Sequence, residues 1–191
     1  LNENFNNHRY VDGQKFTFEE WYSAEKKILP ILSNFCNELN YDLKIIGKCR
    51  GNTTKKEKEF YNKILNNKKF RFIENNDKYN CYEIIDDSFL VVGIYSALIL
   101  EAVSRKAKVA IFNLRKELIS ENYNIFWPKK FSSEGFFWTD KLAVSNINEV
   151  LKNVHDANYD ILKKEYEQLE DLIIFNEKNE KFRKLLENEL K

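Results

Sequence analysis

The chain has 191 residues, 43% of them hydrophobic and 15% aromatic, with 31 basic against 30 acidic side chains. That length can bury a core without staples, and a net charge of +1 excludes a nucleic-acid grip built on a bulk basic surface. The apolar runs at 89–92 and 97–100 fall far short of the roughly 20 residues of a membrane-spanning helix, the amino end does not resemble a signal peptide, and Cys36, Cys49 and Cys81 form no C-x-x-C pair, which points to a reducing cytoplasm.

In chain order, residues 1–5 read as the tail of a first strand. Residues 18–39 carry apolar side chains at helical spacing (Trp21, Ile28, Ile31, Leu32, Phe35, Leu39), with Pro30 a kink or break. Short β-rich runs follow at 43–46 (LKII), 70–73 (FRFI), 89–92 (FLVV) and 109–112 (VAIF), each the length of a buried parallel strand. Helical patterns at 55–65, 78–85 and 96–104 separate them. Strand alternating with helix predicts an α/β fold, a Rossmann-like parallel sheet flanked by helices. Residues 113–140 are irregular and aromatic-rich, around Trp127-Pro128 and Gly135-Phe136-Phe137-Trp138; such a loop either binds something or packs on a partner. From 146 to 191 the spacing is helical again. We therefore expect a Rossmann-like unit over 1–145 and a helical extension over 146–191 packed on it.

In an open α/β sheet, ligands bind beyond the carboxyl ends of the strands. After 89–92 the chain reads Gly93-Ile94-Tyr95-Ser96-Ala97 and enters a helix. A helix start with free N–H groups, the positive dipole end and a hydroxyl suits a phosphate. Glu101, the only charge between Ser96 and Ser104, is placed to accept hydrogen bonds from ribose or sugar hydroxyls. The same residues also fit an ordinary N-cap at Ser96 and an i,i+4 pair of Glu101 with Arg105. After 43–46, Gly47-Lys48-Cys49-Arg50-Gly51 offers two glycines and two cations for an anion, without the spacing of a P-loop; the alternative is a solvated basic turn. After 109–112 come Asn113 and Arg115. One edge of one sheet is thus expected to present Lys48, Arg50, Ser96, Glu101 and Arg115. The two histidines, His8 and His155, have no metal-ligand spacing; His8 lies in the loop after the first strand, where a binding residue projects. There is no G-x-S-x-G elbow, and no catalytic residue is assigned.

The stretch from Tyr95 to Phe112, with Ser96, Glu101-Ala102 and Val109-Ala110-x-Phe112, followed by Trp127-Pro128 and Gly135-Phe136-Phe137-Trp138, resembles the donor half of GT-B glycosyltransferases, nearest to those of bacterial surface-carbohydrate (capsule or lipopolysaccharide) biosynthesis. The resemblance covers about residues 1–145. It implies that Tyr95, Ser96 and Ala97 hold a nucleotide-sugar phosphate, that Glu101 contacts ribose or donor sugar, and that Lys48 and Arg50 add positive charge, with Gly47, Gly93, Asn113, Arg115 and His8 as accessory positions. The family's threonine is replaced by Ala97 and its glycine by Ala107. The nucleotide-sugar is substrate, so no cofactor or metal is implied. The implied partner is a missing amino-terminal GT-B domain carrying the general base, with no nucleic acid and at most peripheral association of the whole enzyme with the inner face of the membrane. With no methionine, the chain is expected to be a piece of a longer protein, inactive alone. Two other readings remain open: a GT-B-like sugar-nucleotide epimerase and a non-catalytic α/β protein-interaction module.

Overall fold

A computed structural model describes residues 9–11, 13–48, 54–66, 68–74, 80–94, 96–118 and 132–169. The expected first strand at 1–5, most of the aromatic loop and the end of the tail lie outside these residues.

Strands β3 (Lys44–Ile46) and β4 (Arg71–Ile73) pair in parallel, as do β5 (Val91–Gly93), β6 (Val109–Phe112) and β7 (Trp138–Thr139), in the order β5-β6-β7. Helix α3 (Thr54–Leu65) connects β3 to β4, and α5 (Ala97–Ser104) connects β5 to β6. This is the expected parallel α/β fold of Rossmann-like kind. Parallel neighbours need such crossovers, because a tight turn can join only antiparallel strands. All of VAIF in the central strand β6 is buried, since helices leave neither face of a parallel strand to water.

The strands and helices share one core. Ile28, Leu29 and Leu32 of α2 (Ser23–Glu38), Ile99 and Ala102 of α5, and Ile147, Val150, Leu151 and Val154 of α7 (Val144–Asp156) belong to it. So does Leu162 of α8 (Tyr159–Tyr166), and the Tyr166 hydroxyl donates to the Ala107 carbonyl and accepts from Val109 N.

Several boundaries differ from the sequence reading. A hairpin of β1 (Arg9–Val11) and β2 (Gln14–Phe16), with Gly13 at φ +79°, precedes the helices; the Asp-Gly dipeptide was its signal. The helix expected over 18–39 divides at Tyr22 into α1 (Phe18–Trp21) and α2, and α2 runs through Pro30. Strand β5 begins at Val91 because Phe89, 49% exposed, lies on the surface against Tyr41 and His155. The carboxyl-terminal helix stops at Asp156 and restarts at Tyr159, where the Asn158 side chain caps α8 by accepting from Ile161 N at 3.0 Å.

Candidate functional site

The carboxyl end of β5 and the start of α5 form a close strand-to-helix junction. Gly93 is buried, and a Cβ built on it would lie 2.0 Å from Ile99 Cδ1. Only glycine lets α5 approach β5 this closely. Ser96, extended at φ −164° and ψ 137°, caps α5 by accepting from Leu98 N at 3.3 Å. Ser96 and Ala97 are exposed, so the positive end of the helix dipole faces solvent at the carboxyl edge of the sheet. Tyr95 lies outside the described residues.

One and a half turns into α5, Glu101 is exposed and held from α4 (Asn80–Asp86): the Tyr82 hydroxyl donates to Glu101 Oε2 at 2.6 Å. The pair with Arg105 does not form. Arg105 instead donates from Nε to Asp86 Oδ1 at 2.8 Å and from Nη2 to Asp86 Oδ2, with its guanidinium over the Tyr82 ring. A planar two-point contact with Asp86 outcompetes a flexible intrahelical pair. The hydrogen bond to Glu101, and then its charge, push the Tyr82 phenol above its usual range, while Arg105 holds the Asp86 carboxyl below its own.

At the end of β3, Gly47 is buried against the Phe72 ring and the Glu57 carboxylate; a Cβ there would lie 2.6 Å from Phe72 Cζ and 3.1 Å from Glu57 Oε2. Glu57 accepts from Lys48 N with both oxygens, at 2.9 and 3.1 Å, and from the Tyr61 hydroxyl at 3.2 Å. The Lys48 ammonium reaches Glu25 Oε1 at 3.1 Å and lies over the Tyr22 ring. Arg115 reaches the same oxygen at 2.7 Å from Nη2, donates from Nε to the Trp21 carbonyl at 3.2 Å and stacks on the Trp21 ring. Arg115 is 1% exposed, so it is not presented at the strand ends as expected: it is a core residue held by a core carboxylate.

Among the described residues, β3 pairs with β4, and the β5-β6-β7 strands form a second hydrogen-bonded set. Lys48 and Arg115 do converge, but on Glu25, which carries opposite charge. Ser96 and Glu101 share α5. Asn113 is 7% exposed, with its N–H bonded to the Thr139 carbonyl at 2.9 Å. Arg50 and His8 lie outside the described residues, as do Gly51, Cys49 and Trp127-Pro128. Trp138 is 4% exposed, folded onto Gly135 with Nε1 donating to the Ser132 carbonyl. Its ring packs inside this unit.

At the opposite, amino-terminal edge, His155 links Tyr41 and Asp156: its Nε2 lies 3.2 Å from the Tyr41 hydroxyl and its Nδ1 2.7 Å from Asp156 Oδ1. Among the described residues, no group of three or more His, Cys, Asp or Glu side chains is placed to hold a metal ion.

A family described as "putative O-antigen biosynthesis protein" matches residues 2–190. The chain belongs to this O-antigen biosynthesis family. Its role therefore lies in bacterial surface-carbohydrate biosynthesis. No curated protein and no solved structure matches the chain. Among the described residues, this family member has no helix long and apolar enough to cross a membrane.

Four polar residues of the O-antigen family chain escaped the sequence reading. Glu25 sits where α2 should be apolar, three and four residues before Ile28 and Leu29; a charge on a core stripe was its signal. Glu57 is likewise buried on the inner face of α3. Tyr82 and Asp86 repeat on α4 the i,i+4 spacing of Glu101 and Arg105 on α5, a match visible only once the two helices are known to be neighbours.

Proposed function

We propose that the chain is the nucleotide-sugar-binding domain of a glycosyltransferase that acts in O-antigen assembly, the donor half of a GT-B enzyme. The carrying observation is the exposed start of α5. Ser96 and the helix dipole there meet solvent at the carboxyl edge of β5, and Glu101, on the same helix, is exposed and oriented by Tyr82. Family membership supports the role in O-antigen biosynthesis, and the resemblance of residues 95–138 to GT-B donor halves supports the donor-binding part of the reading.

In this reading the helix start takes the donor phosphate, using N–H groups and the dipole. Glu101 accepts from ribose or donor-sugar hydroxyls. Lys48, its side chain 43% exposed and its ammonium paired with Glu25, adds positive charge at the end of β3. When the glycosidic bond breaks, negative charge grows on the departing nucleotide phosphate, and fixed dipoles stabilise it without reorganising. The acceptor site and the general base belong to the amino-terminal domain, so the chain alone binds nucleotide but transfers nothing.

Calorimetric or NMR titration with uridine, cytidine, guanosine and adenosine nucleotides and their sugar conjugates tests this. Binding of one base class, weakened about tenfold by Ser96→Ala or Glu101→Ala, is expected, each variant removing a charge-assisted contact. Binding of none at millimolar concentration would instead make the chain a non-catalytic interaction module.

A further inference from the structure

Helices α4 and α5 are joined by contacts among four side chains. Tyr82 and Asp86 lie one turn apart on α4, and Glu101 of α5 lies one turn before Arg105, the residue that ends that helix. Spacing within α5 would pair Glu101 with Arg105, yet each is bonded across to α4: Tyr82 to Glu101 at 2.6 Å, and Asp86 to Arg105 through both carboxylate oxygens. The Arg105 guanidinium also covers the Tyr82 ring, 5.2 Å from its centroid, and so pins the phenol that Glu101 accepts from. The network has a definite chemical effect. A neutral hydroxyl, not a cation, engages Glu101 Oε2, and because the two oxygens are rigidly linked this also sets the direction of Oε1.

We infer that Tyr82 and Asp86 are positioning residues for the ligand site: Tyr82 orients the Glu101 carboxylate toward vicinal hydroxyls of a ribose, and Asp86 diverts Arg105, which would otherwise neutralise it. This rests on the donor-binding reading above and extends it to a second helix. Neither residue touches the ligand; both act through Glu101.

The test uses the whole chain and whichever of UDP, GDP, ADP and CMP binds wild type tightest, compared with its 2′-deoxy and 3′-deoxy counterparts. Wild type should favour the ribonucleotide by roughly threefold to tenfold, the worth of one net hydrogen bond. Tyr82→Phe, which deletes only the hydroxyl, should remove most of that preference while leaving deoxynucleotide affinity and the melting temperature unchanged. Asp86→Ala should weaken ribonucleotide binding by a similar factor, and adding Arg105→Ala should restore it, which loss of a structural contact would not do. Should Glu101→Gln abolish the ribose preference while Tyr82→Phe and Asp86→Ala keep it, the positioning role is wrong and the donor site stands. Should wild type bind none of the four nucleotides, the donor reading fails and the positioning role falls with it.

Discussion

Arg115 and Glu25, ninety positions apart, form an ion pair of 2.7 Å whose side chains are 1% and 5% exposed. It fastens the start of α2 to the short helix Arg115–Leu118 that follows β6, and Lys48 adds the end of β3 to the same carboxylate oxygen. The other oxygen, Oε2, is buried without a hydrogen-bond donor among the described residues. Removing one partner of such a pair leaves a buried, uncompensated charge, at about 3–5 kcal/mol. Glu25→Ala and Arg115→Ala should each lose this much in urea unfolding, whereas the double change Glu25→Leu with Arg115→Met should recover most of it. Equal losses from the singles and the double would show that packing, not charge, dominates.

Gly93 is the contact point of β5 with α5. Gly93→Ala forces the new methyl into Ile99, and overpacking of this kind costs about 1–3 kcal/mol. In an Ile99→Ala background the same change should be nearly neutral, because the obstructing side chain is gone. A thermal-melt double-mutant cycle measures the difference; additivity of the two changes would remove Ile99 as the reason for the glycine.

Ser96 has two roles that separate experimentally. Loss of the cap in Ser96→Ala should cost about 1 kcal/mol of stability. Ser96→Asp, which also caps and suits the helix dipole, should keep the stability and repel an anionic ligand. A stable Ser96→Asp variant with undiminished nucleotide affinity would show that Ser96 only caps.

Stability should fall at both ends of the pH scale, for opposite reasons. Burial raises the Tyr61 and Tyr166 phenols above their usual range, with the Glu57 charge adding to the effect on Tyr61. A group raised in the folded state contributes stability that is full below its unfolded value, about pH 10 for tyrosine, and is lost as pH rises beyond it. Asp86 and Glu134 are lowered, by Arg105 and by Lys141 respectively. Their contribution is present above about pH 4 and is lost as pH falls through the lowered values. Urea midpoints against pH should show a plateau between these limits, with Tyr166→Phe softening the alkaline fall. If tyrosinate absorbance from all ten tyrosines rose before unfolding began, the burial of these two would be refuted.

Period and capping residues determined much of this molecule from the sequence alone. Four-residue apolar runs between helical patterns specified parallel α/β structure, because a strand covered on both faces must be apolar throughout, as VAIF is. Ser96 was legible as a cap, since its hydroxyl needs only the N–H two residues on. The tertiary structure decided how the charges are used. Spacing within one helix pairs Glu101 with Arg105, but α4 supplies a better acceptor for Arg105 and a neutral donor for Glu101. Lys48 and Arg115 looked like free cations, yet Glu25 joins them across the strand ends. Local patterns report which residues can face the core or cap a helix; the partner of a charge depends on which distant segment folding places beside it.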